Sequence, residues 1–376
     1  MAGRKRKQKI RTEFRKNYDT RTRDRGFTRQ FEEHGFEDDD SARSERVSGK
    51  GELAKKRTII ATDEGDGNSV TLQIDESKCL RGRVLRVNGL VSTVEMDDGK
   101  RYQCAISGLL KSISTDQRNV VAAGDHVLVR PANDREGMIV RVEPRHGIIS
   151  RTSKSRQHVI VVNVDQLIIV SSAAQPNIKP NLIDRLLVTA EKTQIKPVIC
   201  INKIDLVNAA DFQPLVGVYG QMGYEVILAS ATTGRGLKQL QETMSGQESV
   251  VAGQSGVGKS SLLNVLEPGL NLAVQEVSTD SEKGKHTTTT AQLLTLSFGG
   301  WVVDTPGIRQ FALWDVIPEE VEGFYRDLRP FINRCRYPDC THTHETDCGV
   351  KDAVADGCLD ARRYESYCHL FVGDAG

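Results

Sequence analysis

The chain has 376 residues with 51 basic and 50 acidic side chains, so it is nearly neutral and too long for one ordinary core; two or three domains are expected. An apolar share of 38% excludes wholesale disorder, and no run approaches the roughly 18 apolar residues of a membrane span. The basic N-terminus is not followed by the apolar stretch of a signal peptide, which points to a cytoplasmic protein without a membrane partner.

The charge is unevenly spread. Residues 1–29 carry twelve Lys or Arg against Glu13, Asp19 and Asp24, and residues 30–40 then carry six acids and no Lys or Arg. Residues 1–77 therefore read as a disordered extension whose basic arm suits nucleic acid; a solvated tail without a partner is the plainer alternative. From 78 to 152 the pattern changes to short alternating strands, Gly82–Val87, Val91–Met96, Arg101–Ile106, His126–Arg130 and Met138–Val142, divided by turn signals such as Asn88-Gly89 and Asp98-Gly99. Five strands with a helix-like insert at Gly108–Ile113 fit an all-β OB-fold barrel, although SH3-like barrels read similarly. Its arginines suit RNA as well as they suit an ordinary charged surface.

After Ser155 strand-like and helix-like segments alternate. Val159–Val164, Leu167–Val170, Lys196–Ile201 and Val226–Leu228 read as strands, and Leu182–Lys192, Gln213–Met222 and Leu237–Met244 as helices. This is the texture of a parallel sheet covered on both faces. Val250–Leu263 then joins an apolar strand to Gly253-Gln254-Ser255-Gly256-Val257-Gly258-Lys259-Ser260-Ser261 and a helical pattern, the context a phosphate-binding P-loop requires. Its glycines let backbone N–H groups face phosphate, Lys259 would reach the β- and γ-phosphates, and Ser260 would ligate Mg²⁺.

Asn202-Lys203-Ile204-Asp205 follows a buried strand, where the Asp205 carboxylate can accept the paired N–H donors of guanine. Ser230-Ala231 ends the next strand, and a backbone N–H there can reach guanine O6. Asp304-Thr305-Pro306-Gly307 follows another strand read: Asp304 would hold Mg²⁺ through water and the Gly307 N–H would sense the γ-phosphate. Between P-loop and DTPG, Gly284–Thr289 is the switch segment; one of its threonines, Thr288 foremost among them, would ligate Mg²⁺. Ile308 stands where Ras-like switches place a water-orienting glutamine, so His286 is the candidate for that task. Near the end, Cys335-x₄-Cys340-x-His342-x₅-Cys348 offers three thiolates and an imidazole, a closed tetrahedral set suited to one structural Zn²⁺. Cys358, Cys368 and His344 fall outside it.

Ordinary GTPases run P-loop, switch threonine, DxxG, NKxD, SA; this chain runs NKxD, SA, P-loop, switch threonine, DTPG. In that permuted order, flanked by the barrel and the cysteine cluster, residues 78–376 resemble the circularly permuted GTPases of small ribosomal subunit biogenesis, the RsgA (YjeQ/EngC) family. The resemblance implies an α/β fold of an OB barrel at 78–152, a permuted P-loop GTPase domain at 153–315, and a small, mainly helical zinc domain at 316–376. It implies a cytoplasmic monomer that binds GTP or GDP, the 30S subunit and 16S rRNA, and hydrolyses GTP slowly until the subunit stimulates it. A non-catalytic RNA-binding scaffold stabilised by nucleotide, and a signalling GTPase with a protein effector, are the rivals.

Overall fold

The computed structural model describes residues 76–108, 110, 120–153, 156–272, 291–304 and 317–373, and the residues from Glu76 onward cluster as one unit. The first five strands are β1 (Leu80–Asn88), β2 (Val91–Met96), β3 (Arg101–Ile106), β4 (His126–Pro131) and β5 (Glu136–Val142). β1 pairs antiparallel with both β2 and β4, β2 with β3 and β4 with β5, and a parallel β3–β5 pair closes the ring. This is the closed five-stranded OB-like barrel. Alternation drives most of it: Val94 and Met96, Tyr102 and Cys104, Val127 and Val129 point inward with Val84 and Ile139, while Gln103 between them is exposed and Leu128, beside a bulge in the β4–β5 pairing, is buried as well. Residues 111–119 of the insert after β3 lie outside the described residues.

β6 (Ile149–Ser153) and β7 (Arg156–Val161) form a separate antiparallel pair. The run Val159–Val164, read as part of the α/β alternation, thus lies outside the parallel sheet among the described residues; it pairs antiparallel with β6 and makes one isolated parallel bridge, Val161 to Ala123. A short β-branched run fits any buried strand, and tertiary contacts choose its partner. Here Val162 N–H donates to the Ala123 carbonyl at 3.0 Å, and Val161 and Val164 fill the core shared by barrel and sheet.

The α/β layer continues with β8 (Gln166–Ser172), α1 (Pro180–Thr193), β9 (Lys196–Asn202), α2 (Gln213–Gln221), β10 (Glu225–Leu228), α3 (Leu237–Met244), β11 (Glu248–Ala252), α4 (Lys259–Leu266), β12 (Gln292–Thr295) and β13 (Trp301–Asp304). The sheet order is β10-β9-β8-β11-β13-β12, parallel except for the β13–β12 pair. All seven residues of β8 are buried, as a central parallel strand requires. Period-two alternation divides the strands between two cores. Leu167, Ile169, Ile199, Ile201 and Val250 pack under α1 and α2, whereas Ile168, Val170, Val198, Cys200 and Ile227 pack under α3 and α4. Each fully buried aliphatic side chain contributes about 1.5–3 kcal/mol.

Beyond β12 the ladder does not stop. Gln292 pairs with Arg86 of β1, so barrel and α/β sheet are one continuous surface of hydrogen-bonded strands. The last module holds α5 (Val321–Phe324), α6 (Arg329–Ile332), α7 (Gly349–Ala355) and α8 (Ala361–Val372). Its core of Val321, Tyr325, Leu328, Val350, Leu359 and Tyr367 takes Val188 from α1. Arg363 of α8, 3% exposed, pairs with the fully buried Asp184 of α1 and holds both oxygens of Asp327 at 2.9 and 3.0 Å.

Candidate functional site

The phosphate-loop, NKxD and SA segments meet at the carboxyl ends of adjacent parallel strands. Residues 253–258 link β11 to α4, Asn202 ends β9, and Ser230-Ala231 follows β10. The strands proceed from β8 to β9 in one direction and to β11 in the other, so the crevice between β8 and β11 is the switch point at which open α/β sheets bind ligands. The loop needs its glycines. At Gly253 (φ 147°) an added Cβ would stand 2.0 Å from the Val170 carbonyl oxygen, and at Gly258 (φ 91°) one would stand 2.4 Å from Asn202 Nδ2. Gly258 caps α4, leaving the first backbone N–H groups of the helix without partners in its own ladder.

Asn202 is 1% exposed and bridges all three segments: Nδ2 donates to the Val257 carbonyl at 2.9 Å, and Oδ1 accepts the Ala231 N–H at 3.3 Å. Lys203, in the left-handed region at φ 61°, donates from Nζ to the Gly256 carbonyl at 2.8 Å and to the Gln175 carbonyl. Ile204 is buried beneath it, which turns Asp205 to the exposed side. Buried Ser230 accepts the Thr233 N–H at 3.0 Å and so fixes the turn around Ala231. Lys259 Nζ lies across the loop, donating to the carbonyls of Gly253 and Gln254 at 2.8 and 2.7 Å. Gln254, Ser255, Ser260 and Ser261 line the same rim, Ser255 being exposed. Asp304 ends β13, two strands from β8 at the same carboxyl edge.

The second cluster is in the C-terminal module. One ligand atom from each of Cys335, Cys340, His342 and Cys348 falls within a 4.8 Å span. Cys335 Sγ and Cys348 Sγ are 3.8 Å apart, and each is 3.4 Å from His342 Nδ1. Tetrahedral bonds of about 2.3 Å to sulfur and 2.0–2.1 Å to nitrogen give edges of about 3.8 and 3.6 Å, so the donor set fits Zn²⁺. Burial pushes the Cys340 thiol up to about 12 and the Cys348 thiol upward; a dication supplies the field that holds such thiols as thiolates. His342 stands in the left-handed region at φ 59°, and its Nε2 lies 2.9 Å from Glu322 Oε2. That carboxylate fixes the tautomer with Nδ1 free to ligate. Tyr364 and Tyr367 donate to the carbonyls of His342 and Thr341 at 2.7 and 2.9 Å. Exposed His344 and Cys358 stand apart from the cluster, as does Cys368.

A model of the RsgA GTPase family matches residues 142–314. A curated relative from Thermotoga petrophila, named small ribosomal subunit biogenesis GTPase RsgA, is 39% identical over 295 residues, covering 77% of this chain and 95% of its own. The chain belongs to the RsgA GTPase family. A namesake from Chlorobaculum parvum is 37% identical over 306 residues, covering 78% of this chain and 98% of its own. Among solved structures, YjeQ from Thermotoga maritima superposes with a TM-score of 0.66 at 36% identity, covering 78% of this chain and 98% of that one. YloQ, described as a circularly permuted GTPase, gives 0.62 at 29% identity over 80% and 97%. The permuted motif order of this chain thus matches that of a structural relative described in those words.

Of the residues singled out for this RsgA-family chain, His286, Thr288 and Gly307 lie outside the described residues, as does Ile308. Sequence reasoning missed Glu322, which no motif marks, and the two buried arginine–carboxyl contacts, Asp184–Arg363 and Arg83–Glu248, that join the modules. Among the described residues, no helix is long and apolar enough to cross a membrane.

Proposed function

We propose that this GTPase binds the small ribosomal subunit late in its assembly and leaves after hydrolysing GTP to GDP and phosphate, with the subunit accelerating the step. The observation that carries this reading is Asn202, which ties the guanine-reading, phosphate-cradling and SA segments into one pocket in the family's permuted order. In this reading residues 78–152 meet rRNA, 16S in a bacterial subunit, 153–315 turn over nucleotide, 316–376 form the zinc module, and the basic arm within 1–77 adds non-specific affinity. The protein acts as a cytoplasmic monomer.

Asp205 accepts from guanine and Ala231 donates to O6. The backbone of Gly253, Gln254, Ser255, Gly256, Val257 and Gly258 surrounds the phosphates, Lys259 neutralises the β–γ bridge, and Ser261 adds its N–H. Ser260, Thr288 and Asp304 would hold Mg²⁺, which would supply charge neutralisation at the phosphates. The Gly307 N–H reports the γ-phosphate, and His286 positions water in place of the missing glutamine, since Ile308 offers no hydrogen bond. Cys335, Cys340, His342 and Cys348 hold one Zn²⁺, which staples a module too small to rely on its core.

GTP turnover with and without purified small subunits, at stated salt, tests the reading. Stimulation of about tenfold or more by the small subunit is expected, in the usual range of coupling between sites. Unchanged turnover alongside tight GTP binding would overturn it.

A further inference from the structure

Glu248 opens β11 and Trp301 opens β13, and the two are partners in the parallel ladder. They lie at the ends of those strands opposite the P-loop and Asp304. Arg83 of β1 reaches both. Its Nη1 stands 3.1 Å from Oε2 of Glu248, whose side chain is wholly buried, and its guanidinium lies 3.9 Å from the centroid of the Trp301 ring. Its Nη2 is 2.9 Å from His126 Nε2 on β4, which anchors it within the barrel. Neither Glu248 oxygen, nor Arg83 Nη1, nor Trp301 Nε1 makes a well-directed hydrogen bond among the described residues. The joint thus rests on the Arg83 cation set against a buried carboxyl and a ring face, contacts that tolerate sliding as a ladder hydrogen bond does not. It also has room: a cleft of about 770 Å³ opens beside it, lined by Arg81, Asp97, His126, Arg141 and Trp301 among others. Two residues along β1, Leu85 enters the core shared with Leu293 and Val303, and Arg86 pairs with Gln292. The barrel is therefore fastened to the strands that carry the phosphate loop and the DTPG segment, and to the strand leaving the switch segment.

We propose that Arg83 couples the barrel to the GTPase sheet, a single side chain that ties the barrel to the roots of both nucleotide-bearing strands and passes subunit binding on to them. A relative shift of β11 and β13 when the γ-phosphate is lost changes the fit of Arg83 between Glu248 and Trp301, and so the seat of the barrel. By reciprocity, a ligand that fixes the barrel biases the two strands. This rests on the reading that the barrel engages subunit RNA, but one readout is independent of the ribosome. The sequence has two tryptophans, so in a Trp314→Phe protein Trp301 is the sole indole reporter. Its emission is expected to differ between GDP and a non-hydrolysable GTP analogue, and Arg83→Met to abolish that difference. A nucleotide response that is absent with Arg83 in place, or unchanged without it, would overturn the proposal. In turnover, Arg83→Met and Arg83→Met/Glu248→Met should keep basal rate and GTP affinity while subunit stimulation falls about tenfold. The double variant leaves no buried charge unpaired, so it guards against mere misfolding. Stimulation within twofold of the parent in that variant would likewise sink the proposal. Absence of stimulation in the parent would overturn the ribosomal reading instead, and Trp301 emission would still decide the role of Arg83.

Discussion

In the proposed nucleotide pocket, Asn202 and Asp205 divide the work between them. Asn202 is buried and spends its amide on protein partners, whereas Asp205 is exposed, where its carboxylate can face a ligand. Asp205→Asn exchanges two acceptors for a donor and an acceptor. Guanine's paired donors then lose a partner, at about 1–3 kcal/mol, while the O2 carbonyl of xanthine gains one. Competition assays should show GTP affinity falling roughly tenfold to a hundredfold and XTP becoming the better substrate; retained preference for GTP would remove Asp205 from the base site. These residues were legible in the sequence because they are contiguous and their spacing is dictated by one strand end. Glu322 was not legible: it meets His342 from 20 residues away, and only the fold brings the two together.

Among elements, the parallel strands were legible because a strand buried on both faces must be an unbroken apolar run, as Leu167–Val170 and Pro197–Ile201 are. Val159–Val164 has the same texture yet pairs with β6, since texture records burial and not partners. The docking of α8 onto α1 was hidden for a related reason. Arg363 and Asp184 read as ordinary surface charges on amphipathic helices, but they lie 3% and 0% exposed in the joint. Burial pushes the Asp184 carboxyl up against the pull of Arg363, and the Tyr219 hydroxyl also donates to it at 2.8 Å. Arg363→Met would leave Asp184 buried without its cation, a loss of about 3–5 kcal/mol. Urea unfolding should register it as a lowered midpoint with an unchanged slope; a shift below about 0.5 kcal/mol, the size of a surface substitution, would mean the pair is incidental.

At the scale of the whole molecule, the permuted order of motifs was the most legible feature, because each motif is local and only their succession is unusual. The seam between barrel and sheet was illegible, because Arg83, Leu85 and Arg86 of β1 meet Glu248, Gln292 and Trp301 from far along the chain. That seam has a pH signature. Burial pushes the Glu248 carboxyl up to about 9 despite Arg83, with Asp165 and Asp125 adding to the rise. Folded protein therefore binds a proton that the unfolded chain releases near its ordinary 4.5, and this contribution to stability is full below that value and lost as pH rises through about 9. Urea midpoints should fall between pH 6 and pH 9, and Glu248→Gln should flatten the decline; identical slopes in both proteins would refute the assignment.

The β1–β12 pair also bears on how the chain stays soluble. Strand β12 has β13 on one side and β1 on the other, and β1 in turn is enclosed by β2 and β4. Excising the barrel would bare the outer edge of a four-residue strand next to the apolar seat vacated by Leu85. An open edge beside an apolar hollow is a template for a foreign strand. Whatever it binds, the barrel also serves as a cap, and a version of this GTPase cut down to its catalytic sheet would polymerise through the face it now keeps covered.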